Sequence, residues 1–424
     1  MMNLLNAATV RTMLSNDEAF RISLKFLTGS VGLKIDDAKY MLTVRDGEFL
    51  DFAATEDVDG AEVVFSGDAR SWQDVLSANR PPGCQGILYN DGRSGVSYAA
   101  DPVALGVFSR AILEMERVLR NACSGVQRSD LLPEVERDFE VIVGRYVYLR
   151  VQGVQYRVYY EEAGSGSVPM LFQHTAGADG RQARHFLEDS DLQKRFRMIS
   201  YDLPFHGNSL PPASHRWWEE EFRLTKEFLF DFLLSLSAKL ELDRPVFMGS
   251  AIGGLLALHL AYELPDDFRA VIALNSGPKP EFEKEQREML RMYSDPRIGS
   301  QWTSTLMVAN MASTTPEVYR RELGWIYSQA GQDATEGALH YYAEGYDLTP
   351  DQLSSIDTSK VRVYLFTGED DFMATERGTD RIASLIPGAR YQRLRRLGHF
   401  GCAENPDALK QDLWTAFEEL SVDS

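Results

Sequence analysis

Val246-Phe247-Met248-Gly249-Ser250-Ala251-Ile252-Gly253-Gly254 is the stretch on which the reading of this chain turns. An apolar run ends in glycine and passes into Leu255-Leu256-Ala257-Leu258, so the stretch reads as a strand, a sharp turn and a buried helix. The pattern Gly-x-Ser-x-Gly marks such a turn, in which backbone packs closely on both flanks and the central side chain is thrust out at the top of a sheet. Centring it on Ser250 would put Met248 and Ile252 at the two small positions, which is sterically poor. Centring it on Ala251 puts Gly249 and Gly253 there. The exposed position is therefore Ala251, a methyl group where a nucleophile is expected.

Size and charge bound what can surround this turn. A chain of 424 residues is long for one hydrophobic core and suits two domains. Hydrophobic residues make up 44% and charged residues 25%, the balance of a soluble globular protein and not of a disordered one. With 44 basic against 63 acidic residues the net charge is −19, which argues against a nucleic-acid partner. Cys84, Cys123 and Cys402 are widely spaced without metal-ligand spacing, and fit small packing residues in a reducing compartment. Met1 to Asn16 does not pair a basic start with an apolar run, so no secretory signal is expected. No apolar run reaches the length of a membrane span, so the expected location is the cytoplasm, with no membrane partner.

Residues 1–122 read as a small α+β domain. Lys39–Val44 and Glu48–Ala53 flank the turn Arg45-Asp46-Gly47, Glu62–Ser66 reads as a third strand, and a helix follows near Ala69–Ser77. Leu105, Phe108, Ile112, Met115 and Leu119 recur at helical spacing and predict one apolar stripe on a helix over 102–120. No catalytic constellation is visible in this segment. Val63-Val64-Phe65-Ser66-Gly67 followed by Ser71-Trp72-Gln73-Asp74-Val75-Leu76 resembles the sterol-carrier-protein type of small domain. That resemblance implies lipid binding as the alternative to a structural role, in oligomerisation or in covering one side of a catalytic domain.

Residues 123–138 are polar and turn-rich and predict a linker. Beyond Phe139, Glu140–Val151 and Val154–Glu161 around Gln152-Gly153 read as an antiparallel hairpin. Short apolar runs then alternate with helices: Pro169–Gln173, Phe196–Tyr201, Pro245–Gly249, Ala270–Asn275 and Val361–Thr367. Such alternation argues a parallel sheet covered on both faces. Residues 279–357 break it with a helical stretch carrying Tyr293, Trp302, Tyr319, Trp325, Tyr327, Tyr341, Tyr342 and Tyr346, which predicts a cap over the strand ends.

Four further motifs fall into place around the turn. Gln173-His174-Thr175-Ala176-Gly177 ends an early strand. Tyr201-Asp202-Leu203-Pro204-Phe205-His206-Gly207-Asn208-Ser209 matches Asp-x-Pro-Gly-His-Gly-x-Ser with Phe205 in place of one glycine. Gly368-Glu369-Asp370-Asp371 follows the run Val361–Thr367, and Gly398-His399-Phe400 follows a strand near Tyr391–Leu394. In this order, residues 139–424 resemble the α/β-hydrolase fold. The resemblance implies an α/β architecture: a mostly parallel sheet with helices on both faces, a helical cap over 279–357, and the small N-terminal α+β domain in front.

The same resemblance implies a division of chemical labour. A serine hydroxyl is a weak nucleophile until an imidazole takes its proton, and His399 is the base in the right place. An imidazole needs a carboxylate to fix its tautomer; Asp371 matches that position and Asp370 is the competitor. The developing oxyanion needs preorganised donors, for which the amide of Ile252 and that of Ala176 are expected, with Thr175 as the alternative to Ala176. His174, His206 and His259 read as structural. Asp179 and Arg181 are candidates to face substrate, against a competing reading as helix-capping and solvent-facing polar residues, and Trp302 and Trp325 are the corresponding candidates in the cap. No metal or organic cofactor is expected, because neither a ligand cluster nor a phosphate-binding glycine loop is present.

The alanine at the centre admits three accounts. The chain is an inactivated variant of a hydrolase in which serine, or else aspartate or cysteine, stood at 251; or it is a natural binding protein that uses the pocket without chemistry; or His399 and Asp371 activate water or substrate directly. The first is preferred, because an acid–base pair beneath an empty elbow would serve a binder nothing. The expected parent reaction is hydrolysis of an ester, lactone, amide or carbon–carbon bond, and the aromatic cap points to a small apolar or aromatic substrate. The added N-terminal domain is compatible with a homo-oligomer.

Overall fold

The structure, a computed structural model, describes residues 4–88, 94–125, 131–134, 136, 138–277, 291–331, 333–343 and 347–422. Its first sheet comprises β1 (Gly29–Ile35), β2 (Ala38–Arg45), β3 (Glu48–Ala54), β4 (Val63–Gly67) and β5 (Ser97–Ala100), in the order β3-β2-β1-β4-β5. Asp46 (φ 52°) and Gly47 (φ 82°) supply the two positive φ angles that a tight β2–β3 hairpin turn demands. The central strand β1 went unanticipated in the sequence, where Gly29 and Gly32 dilute its alternation. Gly32 is needed there, since a Cβ would lie 2.7 Å from that of Val58.

The second sheet comprises β6 (Val143–Val151), β7 (Val154–Ala163), β8 (Val168–Gln173), β9 (Phe196–Tyr201), β10 (Val246–Ser250), β11 (Ala270–Leu274), β12 (Arg362–Gly368) and β13 (Arg390–Leu394). Its order is β13-β12-β11-β10-β8-β9-β7-β6, with every pair from β13 to β9 parallel and the β6–β7–β9 edge antiparallel. Every residue of β8, β10 and β11 is buried, as expected of strands covered on both faces. One face packs against the helices Lys226–Lys239, Ile252–Glu263 and Glu376–Leu385, the other against Arg184–Leu187 and Pro406–Val422. The strand order reverses direction between β8 and β10, and the loops at the carboxyl ends around such a switch point are where open α/β sheets place their ligands. No helix among the described residues is long and apolar enough to cross a membrane.

Between β11 and β12 the chain makes the helices Gly299–Ala309, Glu317–Ser328, Ala334–Ala343 and Pro350–Ser354. They do not rest on the large sheet alone. The helix Pro102–Ser124, started by the Asp101 side chain and Pro102 and ended at Gly125 (φ 67°), packs against Gly299–Ala309. It therefore takes up the first residues of the predicted linker, Cys123 and Ser124. Leu105, Phe108, Ile112, Met115 and Leu119 are all buried as the stripe predicts. They share one apolar core with Trp302, Leu306, Leu323, Tyr327 and Phe400, so the N-terminal domain and the helical insertion are welded together. A buried carboxylate reinforces the seam: Glu114 accepts from Arg117 at 2.8 Å and pairs with Arg321 of the insertion.

Candidate active site

The turn after β10 is strained at the residue the glycine spacing singled out. Ala251 has φ 54° and ψ −111°, a region that costs an L-residue roughly 1–3 kcal/mol, while Ser250 still belongs to the strand. Its flanks leave no room for side chains: a Cβ on Gly249 would lie 2.7 Å from the Gly253 backbone, and one on Gly254 would lie 2.5 Å from Leu274 O. Ser250 is not at the strained position and donates its Oγ to the His399 carbonyl at 3.0 Å. The hydroxyl in the motif thus ties two loops together.

His399, buried, meets Asp371 through Nδ1···Oδ1 at 2.9 Å. With Nδ1 committed to the carboxylate, Nε2 is the nitrogen left to handle a proton. The same Asp371 oxygen accepts the amides of Met373 at 2.7 Å and Ala374 at 2.8 Å, which fixes the carboxylate by its own loop. Phe372 lies against the imidazole with 4.7 Å between ring centroids. The competitor Asp370 points elsewhere: its carboxylate faces the amides of Ser313 and Gly83, and burial together with the neighbouring Glu369 raises its pKa from the ordinary aspartate value.

Two residues that hold these loops carried no signal that was read in the sequence. Asn275, fully buried with φ 53° after β11, donates Nδ2 to Gly398 O (3.1 Å) and His399 O (2.7 Å) and accepts from Gly368 N (3.0 Å). One amide side chain thereby joins the ends of three strands. An asparagine followed by Ser276-Gly277 at the end of an apolar run is a turn signal, and could have marked it. Glu404, also fully buried, accepts the amides of Gly398 (2.8 Å), Phe400 (2.9 Å) and Ala312 (3.2 Å), and burial raises its carboxyl.

The loop after β8 is built around His174. Its Nε2 accepts from Leu203 N at 3.1 Å, so Nδ1 carries the proton and donates to Thr175 O at 2.8 Å. Burial lowers its pKa, and burial with His174 beside it drives His206 down to about 3, so both rings are neutral supports. Thr175, the alternative oxyanion donor, has its amide bonded to Gln182 Oε1 at 2.9 Å and its hydroxyl to the same oxygen at 3.1 Å. Its Oγ1 also lies 2.5 Å from the hydroxyl of Tyr327 in the insertion. Thr175 is therefore engaged in holding the loop, whereas no bond from the amides of Ala176 or Ile252 is found among the described residues.

The remaining sequence candidates are not drawn to this centre. Asp179 is buried, caps the turn Gly180–Ala183 and binds Arg181 through Nε at 2.8 Å, so the two satisfy each other. Trp302 is fully buried in the core shared with the N-terminal domain, and Trp325 is 65% exposed. Aromatic content alone does not tell which side of a helix meets a pocket. Tyr346 lies outside the described residues. Phe205, at the position where the motif has glycine, does take the positive φ (70°) that glycine would supply there.

Comparison with known proteins agrees with this architecture. The family model described as "alpha/beta hydrolase fold" matches residues 168–406. Bifunctional epoxide hydrolase 2 of Sus scrofa is 30% identical over 172 residues, which are 40% of this chain and 28% of that protein, so the chain matches well under half of that relative. Among solved structures, a thermophilic esterase from Thermogutta terrifontis has a TM-score of 0.56 at 20% identity, covering 65% of this chain and 99% of its own. The enol-lactonase from Burkholderia xenovorans LB400 has a TM-score of 0.55 at 20% identity, covering 64% of this chain and all of its own. With more than half its length matched by that model, the chain belongs to the α/β-hydrolase fold family.

Proposed function

We propose that this chain is the nucleophile-less form of a serine-type hydrolase of small molecules. The observation that carries the reading is the conformation of Ala251, with the buried His399–Asp371 pair on the neighbouring loops. A positive φ at alanine brings a methyl group no benefit, but the same backbone presents a reactive side chain at the sheet edge. With serine at 251, His399 Nε2 would take the hydroxyl proton as the oxygen attacks an acyl carbon, and return it to the leaving group. Asp371 would steady the imidazolium, and the amides of Ile252 and Ala176 would receive the oxyanion. Water, activated by the same imidazole, would then release the acyl group. The bond cleaved would be an ester, lactone or amide, or a carbon–carbon bond, in a small apolar or aromatic compound beneath the helical cap.

The similarity to an epoxide hydrolase supports a second reading, in which aspartate is the residue missing from 251 and an alkyl–enzyme ester forms in place of an acyl–enzyme. Assays of A251S on activated aryl esters and of A251D on styrene oxide and a haloalkane separate the two. Ester turnover by A251S that is lost again on His399→Ala supports the serine reading. Epoxide or haloalkane turnover by A251D with an inert A251S overturns it in favour of the second. If both variants stay inert while the unchanged chain binds an aromatic ester, the chain is a binding protein.

A further inference from the structure

The N-terminal domain sends one turn to the back of the acid loop. Pro81 and Pro82 fix their own φ angles, Gly83 follows at φ 87°, and Cys84 N–H closes on Pro81 O at 3.1 Å, which makes a stiff turn. Buried charge holds its flanks. Arg80 donates to Gln85 O and lies 3.6 Å from Glu116, which accepts from Ile87 N at 2.8 Å. What this frame presents to the hydrolase domain is Gln85, 2% exposed, whose Nε2 donates to Asp370 O at 2.5 Å.

That oxygen belongs to the peptide group whose N–H is that of Asp371. Its plane sets the direction in which the Asp371 side chain leaves the backbone. Asp370 is held on its other sides as well: its amide donates to Leu397 O at 3.0 Å, and its carboxylate faces the amides of Ser313 and, from the same N-terminal turn, Gly83. Asp371 completes the turn with its own amide on Gly368 O at 3.1 Å. The grip on the acid therefore comes partly from its own loop and partly from a separate domain.

We propose that Gln85 is a positioning residue for Asp371, through which the N-terminal domain completes the active site from behind. The inference rests on the reading of His399 and Asp371 as the acid–base pair, but one arm of its test needs no turnover. In the chain as it stands, the Nδ1–H proton between His399 and Asp371 should give a downfield proton resonance. Gln85→Met, similar in volume but without the donor, should shift or broaden that signal, because the carboxylate is free to tilt. In the A251S background the same substitution should lower kcat about tenfold with KM within about twofold, the signature of misplaced catalytic geometry and not of lost binding.

Arg321→Ala loosens the same domain seam away from Asp370 and serves as the control. Matched losses of Tm with an unmoved resonance and kcat only in the control support the proposal. An unmoved resonance in Gln85→Met overturns it, as does an equal shift in Arg321→Ala at equal Tm loss. Gln85→Ser removes the same donor with less bulk and reads out identically if the methionine variant does not fold. If A251S is inert, the reading of 251 has failed and the resonance alone decides the role of Gln85.

Discussion

The loops at the carboxyl edge of the large sheet and the helical insertion above them both carried candidate residues, and they fared differently. In the loops, sequence position constrains geometry: Asp371 follows the end of β12 and His399 the end of β13, so both emerge at the carboxyl edge of the sheet, where they meet at 2.9 Å. In the insertion, Trp302 and Trp325 were equally conspicuous, yet one is buried against another domain and the other faces solvent. A helix offers a full circle of directions, and which arc meets a pocket depends on every other surface that competes for it. The difference teaches that motifs carry site information where the backbone is constrained, and lose it where packing decides.

The largest effect should fall on the constrained side of this comparison. In A251S, His399→Ala should reduce kcat on an activated ester on the order of 10²- to 10⁴-fold, the usual contribution of a positioned general base. Steady-state assays read this directly, and a loss below about tenfold would break the assignment of the base. On the packing side, Trp302→Ala should cost about 3–5 kcal/mol of unfolding free energy through the cavity it leaves, with KM unchanged in A251S. A raised KM at unaltered urea midpoint would return Trp302 to the substrate pocket.

The seam between the N-terminal domain and the insertion has its own signature in pH. Burial alone would raise the Glu114 carboxyl, but Arg321 and Arg117 outweigh it and hold the group below the ordinary glutamate value of 4.5. Burial likewise opposes, and Arg117 and the Phe20 amide outweigh it, at Asp17, which is also lowered. A depressed carboxylate contributes stability that is present above its unfolded pKa and is lost as pH falls through the lower folded value. Glu114→Gln should therefore destabilise the chain by roughly 1–3 kcal/mol at pH 7, and the gap between the two proteins should close as pH falls below about 4. Urea titrations of both at pH 7, 5 and 3.5 test it; a gap independent of pH would mean that the pair contributes shape and not charge.

What could be read in the sequence follows the same division. The apolar runs from Pro169 to Val361 gave the parallel strands, because a strand buried on both faces leaves few alternatives. The glycines at 249 and 253 gave the elbow, because only close backbone approach demands them. β1 was not legible, since Gly32 is required by Val58 and Gly29 lies against Glu62, contacts that come from further along the chain. Glu404 and Gln85 were not legible either, and the turn signal at Asn275 tells nothing of the bonds its side chain makes. Each acts by joining segments far apart in sequence, and a lone buried polar residue looks no different in a sequence from one on the surface. Tyr327 is one aromatic among several in the insertion, and only its contact with Thr175 sets it apart.

Tyr327 is one of the places where the two regions touch, and it offers the finest test of how far they are separable. Its hydroxyl shares a hydrogen bond with Thr175 Oγ1, whose own amide is held by Gln182. Tyr327→Phe removes one hydrogen bond and almost no volume, so stability should fall by only about 1 kcal/mol. If the insertion merely covers the site, kcat in A251S should be unaffected. If it also sets the loop that presents the Ala176 amide, kcat should fall about threefold to tenfold with KM little changed. Trp325→Ser, on the solvent side of the same helix, should alter stability by less than about 0.5 kcal/mol and leave both constants alone. A kinetic effect of Trp325→Ser as large as that of Tyr327→Phe would mean that the helix moves as a body, and that direction around its axis explains nothing.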